Sequence, residues 1–279
     1  LSFTIEQSLY RGGRTVAATS EAENKVRAGR ARLIAVEQSV LRDAATAYMN
    51  VVRDQAVLEL TRSNEQVLKR HLEATRDRFQ VGEITRTDVH QAEARLARAS
   101  AERIQAESDL KAFRAAYRNV VGENPGRLAP VTPPTDLPAN GEEAVRIAAA
   151  QAPDVIAGTF DEQALADDAA GVRGELLPEI DLEGTASRTF DSAGQESRID
   201  SFQAKVTLTV PLYQSGAVYS RLREARQSVA EQRLKTRQAR RDAVEEATRS
   251  WEALQAARAR IVAFQSEIQA AEVALEGVR

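Results

Sequence analysis

The chain has 279 residues, a formal net charge of −3 and no cysteine. Its near-balanced charge leaves no basic surplus to neutralise phosphates, so no nucleic-acid partner is expected. The lack of cysteine removes disulfides, thiolate catalysis and Cys-based zinc sites. No window of roughly 18 apolar residues occurs, so a membrane role would have to use β-strands.

The first predicted element is a strand over residues 1–8. Apolar and polar residues alternate along it, which gives the strand one apolar face. Gly12 and Gly13 follow and supply a break in which φ can be positive. This break separates the strand from the first helix.

Two long helices are predicted next, from about Arg14 to Phe79 and from about Thr87 to Val120. The first would be roughly 95 Å long, and a helix of that length needs a partner along it. In both helices, residues of a seven-residue apolar repeat can be identified: Val26, Leu33, Val40, Ala44, Val51 and Leu58, then Val89, Ala92, Leu96, Ala99, Ala106, Leu110, Phe113 and Tyr117. Arg103 is the one misfit in these rows. The short break at residues 82–88 predicts an antiparallel hairpin.

A linker is predicted over residues 121–140, because no helix can cross the five prolines found there. Two shorter helices follow, over about 142–152 and 154–175. In the second of these, the neighbouring pair Asp167 and Asp168 is interpreted as a solvated helix face rather than as a catalytic acid pair.

Two more strands are predicted over residues 181–187 and 201–210, with an exposed polar loop over 191–200. The second alternates regularly over about ten residues, which is the length that a tilted transmembrane strand needs. Its apolar positions are Phe202, Ala204, Val206, Leu208 and Val210. A last long helix runs from about Ala217 to the end, with a seven-residue repeat formed by Ala247, Leu254, Ile261, Ile268 and Leu275.

The chain also repeats itself at an offset of 203 residues. Matching pairs are Thr4 with Thr207, Tyr10 with Tyr213, Gly13 with Gly216, Val26 with Val229, Arg30 with Arg233, and Tyr48 with Trp251. Two helices of similar composition can align by chance, but a strand and a break at the same offset indicate duplication. The second copy stops at Arg279 before a turn and a return helix, and the chain opens at Leu1 without Met. We therefore expect a truncated chain.

Four segments in a fixed order resemble the TolC family of outer-membrane efflux proteins. They are the helix-tip pattern of Phe79 and Gly82 followed by Thr85, Asp88 and Val89; the run Ala152, Pro153, Asp154, Val155; the run Leu177, Pro178, Glu179, Ile180; and the run Val210, Pro211, Leu212, Tyr213 with Gly216. Each segment alone is weak evidence for the resemblance. Together, the four segments occur in the same order as in the family and cover the chain. Ala152 stands where Arg is usual.

The resemblance implies a mainly α fold with a few β-strands. Long antiparallel hairpins would form an α-barrel, and amphipathic strands would form part of a trimeric transmembrane β-barrel. Residues 1–13 and 177–216 would supply the strands, 14–120 and 217–279 the periplasmic hairpins, and 121–176 the Pro-rich link and short helices. The lipid-facing residues would be Phe202, Ala204, Val206, Leu208 and Val210.

The implied function is that of an outer-membrane channel subunit in a tripartite efflux or type I secretion system. Such a protein lies in the Gram-negative outer membrane and extends into the periplasm. Its partners would be two further copies of itself, a periplasmic adaptor, an inner-membrane pump of the ABC or RND type, and outer-membrane lipid. The adaptor contact and gate would lie at the hairpin tip, at Val81, Gly82, Thr85, Thr87, Asp88 and Val89. Asp88 would also cap the following helix, with Thr87 as the alternative N-cap.

Catalytic chemistry is not expected. His71 and His90 lack the spacing of metal ligands, and no phosphate-binding loop or nucleophile motif occurs, so we expect no cofactor, no metal and no enzyme activity. The alternative function is a soluble coiled-coil scaffold. The heptads and the balanced charge favour it, whereas the three alternating strands argue against it.

Overall fold

The computed structural model describes residues 1–126, 128–129, 131–132, 134–190 and 198–278. Its elements in chain order are β1 (Ser2–Arg11), α1 (Arg14–Gln80), α2 (Arg86–Val121), α3 (Gly141–Gln151), α4 (Pro153–Gly174), β2 (Glu179–Phe190), β3 (Arg198–Thr209) and α5 (Ala217–Val278). The predicted fold class, mainly α with a few strands, is confirmed. The predicted loop over 191–200 is wrong at its end, since residues 198–200 belong to β3. The rest of that loop lies outside the described residues.

The three strands form one antiparallel sheet in the order β1-β2-β3. β1 pairs with β2 in a register that places Thr4 opposite Thr185, with an irregularity between Ser8 and Tyr10. β2 pairs with β3 so that Leu182 lies opposite Val206. Since directly opposed residues share a face, the predicted apolar positions of all three strands fall on the same side of the sheet. Ile199, opposite Thr189, falls on the other side.

The internal repeat is present in the backbone as well as in the sequence. α1 begins at Arg14 and α5 begins at Ala217, which is the same offset of 203 residues. Before each helix lie two left-handed residues: Gly12 and Gly13 with φ of 60° and 78°, and Ser215 and Gly216 with φ of 50° and 77°. Both helices then start with the same backbone bond, from Ala17 N to Gly13 O and from Ser220 N to Gly216 O, each 3.0 Å.

The chain divides into two compact units, residues 1–35 with 136–279, and residues 36–135. In the first unit, α4 contacts the starts of both repeats. Ser20 and Asn24 of α1 donate to the Asp167 carboxylate at 2.7 and 2.8 Å, and Glu162 accepts from Arg233 of α5 at 2.8 Å. The prediction that Asp167 lies on a solvated face is therefore wrong, because its carboxylate joins α4 to α1.

The second unit is the hairpin of α1 and α2, with its core in the predicted heptad rows. The buried core residues are Val51, Leu58, Ala106 and Leu110 in one cluster and Leu72, Val89 and Ala92 in another. The misfit Arg103 pairs across the hairpin with Glu65 at 2.7 Å. Its charge therefore has a partner on the facing helix, which explains why it is tolerated in an apolar row.

Other predicted heptad positions are exposed in the single chain. Val26 and Leu33 of α1 are 55% and 57% exposed, and Ile261 and Ile268 of α5 are 57% and 59% exposed. The buried α1 positions in the first unit are instead Asn24, Ala28 and Ala31. The small side chains of the two alanines allow close helix approach, so they pack inside the chain while a larger apolar row lies on its surface.

Candidate functional site

The tip of the α1–α2 hairpin is a tight turn fixed by backbone bonds. Gly82 N donates to Phe79 O and Glu83 N to Arg78 O, both at 3.0 Å. Gly82 takes a φ of 82°, a left-handed conformation that glycine adopts without a Cβ clash. The Arg78 and Glu83 side chains pair across the turn at 2.9 Å. The tip is therefore an ordered turn between two helix ends.

Thr85 caps α2, and Asp88 completes a capping box with it. Thr85 has an extended backbone, with φ −90° and ψ 160°, and its hydroxyl accepts from Asp88 N at 3.4 Å. In return, the Asp88 carboxylate accepts from the Thr85 backbone N–H at 2.9 Å and from its hydroxyl at 2.7 Å. The prediction that Asp88 or Thr87 is the N-cap is therefore wrong. The helix starts at Arg86, which makes Asp88 its third residue.

These bonds also set the charge of the tip. The pKa of Asp88 lies below its ordinary value, first because the Thr85 hydroxyl donates to the carboxylate and second because the Thr85 backbone N–H does so. Its position in the first turn of α2 further favours a negative charge, which interacts well with the helix dipole. Asp88 is therefore ionised at neutral pH.

The predicted tip residues divide into two groups. Val81, Gly82, Thr85, Thr87 and Asp88 are exposed. Val89 instead lies in the hairpin core with Leu72 and Ala92, because it is one helical turn beyond the cap and faces α1. We therefore assign Val89 to holding the hairpin together rather than to the exposed surface.

The sequence analysis missed a salt bridge next to the tip. Arg76 of α1 pairs with Glu93 of α2 at 2.7 Å, and His90 contacts the same carboxylate at 3.1 Å. The pKa of Glu93 is lowered, mainly by Arg76 and then by His90. The available signal was a basic residue in the last two turns of α1 and an acidic residue in the first two to three turns of α2, which an antiparallel hairpin brings close together.

The second predicted site is the apolar face of the sheet. Phe202, Ala204, Val206 and Leu208 all lie on β3 and are exposed, and Phe202 is 85% exposed. Val210 is exposed too but lies one residue beyond the strand, which ends at Thr209. The same face continues over the other strands through Phe3, Ile5, Leu182 and Ala186, according to the register.

The opposite face of the sheet is polar. Cross-strand hydroxyls meet on it, with Thr4 and Thr185 at 3.4 Å and Ser187 and Ser201 at 2.7 Å. Ser8 also donates to Asp181 at 2.6 Å. One side of this sheet therefore suits an apolar environment, and the other side suits water.

Among the described residues, no group of three or more His, Cys, Asp or Glu side chains is placed to hold a metal ion. Among the helices that the structure describes, none combines the length and the apolar character needed to cross a membrane.

The comparisons with known proteins agree with one another. Residues 1–123 and 144–279 match the family described as Outer membrane efflux protein. The outer membrane efflux protein BepC of Brucella suis biovar 1 (strain 1330) is 32% identical over 280 residues, covering 98% of this chain and 60% of BepC. The outer membrane protein TolC of Vibrio cholerae serotype O1 is 28% identical over 230 residues, covering 79% of this chain and 52% of TolC.

A solved structure shares the fold. The outer membrane protein VceC from Vibrio cholerae superposes with a TM-score of 0.79 at 22% identity, over 97% of this chain and 66% of VceC. The chain thus spans a little over half the length of the curated relatives that it matches.

Proposed function

The chain belongs to the outer membrane efflux protein family, and from this premise we propose that it forms one subunit of a trimeric duct across the outer membrane. The duct carries exported substrate from the periplasm to the outside. Residues 1–13 and 177–216 supply membrane strands, 14–120 and 217–279 supply the periplasmic tunnel, and 121–176 supply the link and short helices.

The single observation that carries the proposal is the two-sided sheet. Its apolar face leaves Phe3, Ile5, Phe202, Val206 and Leu208 more than half exposed, a surface that is stable in lipid. The other face bears hydroxyl, amide and carboxylate groups, which suit a water-filled interior. A sheet can lie in lipid only if no backbone edge is open to it. The three strands of the described residues cannot close by themselves, and we propose that several copies of the protein share one barrel.

The helices support the same assembly. The exposed apolar positions Val26 and Leu33 are seven residues apart on α1, and a seven-residue apolar row is the pattern by which long helices pack together. A neighbouring copy would cover this row. We therefore propose that subunit contacts in the tunnel run along α1.

We further propose that the exposed tip residues Val81, Gly82, Thr85, Thr87 and Asp88 contact a periplasmic adaptor and take part in the gate. Val81 offers apolar area on a rigid turn, so little conformational entropy is lost when a partner binds. The adaptor would bring an inner-membrane pump of the ABC or RND type. Of the two export systems, we propose tripartite efflux, because BepC, at 32% identity, is named an efflux protein.

The proposal is tested by placing a charge on each face of β3 in turn. Val206→Arg puts a cation on the apolar face of the strand, at a cost of up to about 2–4 kcal/mol in lipid for each copy. Thr207→Arg puts the same cation on the polar face and is the matched control. We expect Val206→Arg to remove the protein from the outer-membrane fraction and Thr207→Arg to leave it there. Equal amounts of both variants in the membrane would contradict the proposal.

A further inference from the structure

Three charged side chains form a cluster on β2 and β3, at the end of the sheet farthest from the helices. Asp200 accepts from Arg188 Nε at 2.6 Å and from Arg198 Nη2 at 2.6 Å. Their side chains are 36%, 44% and 54% exposed, respectively. Within the part of the chain that the structure describes, two guanidinium groups share this one carboxylate. These three side chains together carry one net positive charge.

The cluster lies on the apolar face of the sheet. Arg188 is opposite Asp200, and the next pair on the same face is Ala186 opposite Phe202. On the far side, Phe190 is opposite Arg198. Since side chains two residues apart share a face, both arginines follow directly on from the proposed lipid-facing row. A shift of one residue along its strand would have placed either arginine on the polar face of the sheet.

The distance of the charged cluster from the other end of the sheet fits the border between the apolar core of a membrane and its headgroups. From Ile180 to Arg188, β2 rises about 26 Å at about 3.3 Å per residue. A strand tilt of about 40° reduces this to about 20 Å of height, comparable to the apolar band of about 25 Å that membrane strands present. The exposed aromatic rings of Phe190 and Phe202 flank the cluster, and aromatic side chains concentrate at this border. Both arginines would thus lie at the level of lipid headgroups.

We propose that Arg188 and Arg198 together bind a phosphate group of an anionic lipid in the outer leaflet. The inference rests on the proposed function, which places this end of the sheet at the outer surface because the helices leave from the other end. Arginine suits the role because its guanidinium group carries five N–H donors. Nε and Nη2 of both arginines bond Asp200, so a phosphate would be bound by their remaining N–H groups. Basic clusters beside apolar membrane surfaces bind lipid headgroups in this way.

The test is the affinity of the full-length protein for lipid A that carries both phosphates, measured by native mass spectrometry from detergent. The double variant Arg188→Gln with Arg198→Gln is expected to bind about tenfold more weakly or worse. Lys205→Gln is the control, because it removes one positive charge from β3 on the polar face of the sheet. It is expected to bind as the unchanged protein does.

Two further measurements separate a binding site from a purely structural ion pair. Asp200→Asn removes the competing carboxylate and is expected to keep or increase the affinity, whereas a structural cluster would be damaged by it as much as by the loss of the arginines. Inorganic phosphate at the same concentration is expected not to displace the lipid, since the apolar part of the site recognises only the lipid. Displacement would assign the site to free phosphate and overturn the proposal.

The outcomes also distinguish this inference from the proposed function. If the double variant inserts into zwitterionic bilayers as the unchanged protein does, yet binds lipid A with the same affinity, the phosphate site is refuted and the membrane sheet stands. If the unchanged protein does not insert into any bilayer, the membrane sheet is refuted and the phosphate site falls with it.

Discussion

Ser215 holds the same left-handed backbone position in the second repeat that Gly12 holds in the first, with φ of 50° against 60°. In the described residues, Ser215 is the one residue other than glycine with a positive φ. The duplicated break before each long helix has therefore kept its shape while one of its glycines differs. A side chain in this conformation costs about 1 kcal/mol.

Exchanging the two residues tests this relationship. We expect Ser215→Gly to raise the free energy of unfolding by about 0.5–1 kcal/mol, because it removes the Cβ clash. We expect Gly12→Ser to lower it by about 3 kcal/mol or to prevent folding, because a Cβ at residue 12 would lie 2.2 Å from Gly174 O. Chemical denaturation of both variants measures the difference. Ser220→Gly, inside α5, is the control and should destabilise, as glycine does in a helix.

The tip turn depends on Thr85. We expect Thr85→Ala to remove the N-cap and reduce the local stability of the first turn of α2 by about 1 kcal/mol. Amide hydrogen exchange at residues 86–90 would then be about fivefold faster. Thr87→Ala is the control, since Thr87 is exposed and lies inside the helix. Equal exchange in the two variants would show that the capping box does not stabilise the turn.

The tip should also respond to acid. The pKa of Asp88 is lowered in the folded chain because Thr85 donates to its carboxylate. The resulting stabilisation is complete above the ordinary aspartate pKa of about 4 and is lost as the pH falls through the lower, folded-state pKa. We expect exchange protection at the tip, corrected for intrinsic rates, to decline below about pH 4. In Asp88→Asn the protection should be low at neutral pH already and should not change with acid.

The proposed adaptor contact is tested at Val81, which is 73% exposed. We expect Val81→Asp to reduce efflux by about tenfold or more, because a charge in the centre of an apolar contact must lose its hydration when the partner binds. Val67→Asp is the control, since Val67 is 50% exposed on α1 away from the tip. Membrane levels of both variants should match the unchanged protein. Normal efflux with Val81→Asp would show that the adaptor does not bind at Val81.

The sequence alone predicted the limits of the helices to within one residue, whereas each strand extends two or three residues beyond a predicted end. Glycine and proline mark these limits, as at Gly13 before α1 and Pro153 at the start of α4, and their backbone restrictions do not depend on tertiary contacts. The motifs also predicted the family and the outer-membrane location, which family membership confirms. Its relatives are named as outer membrane and efflux proteins.

The sequence did not show which side chains would meet. The sequence predicts that Asp167 faces solvent, because its partners Ser20 and Asn24 lie on a helix that is far away in sequence. The N-cap was misplaced because Thr87 and Asp88 are as suitable by residue type as Thr85. Only the extended backbone that the turn imposes on Thr85 decides between them. The adaptor role of the tip and the lipid-facing role of β3 stay predictions.

A membrane duct shared by several copies is tested by the mass of the purified full-length protein in detergent. Light scattering, corrected for the bound micelle, measures this mass. We expect the mass of three subunits, and we expect the protein to aggregate when the detergent is removed, because the apolar face of the sheet is then exposed to water. A monodisperse monomer or dimer in plain buffer would contradict the account and would favour a soluble coiled-coil scaffold.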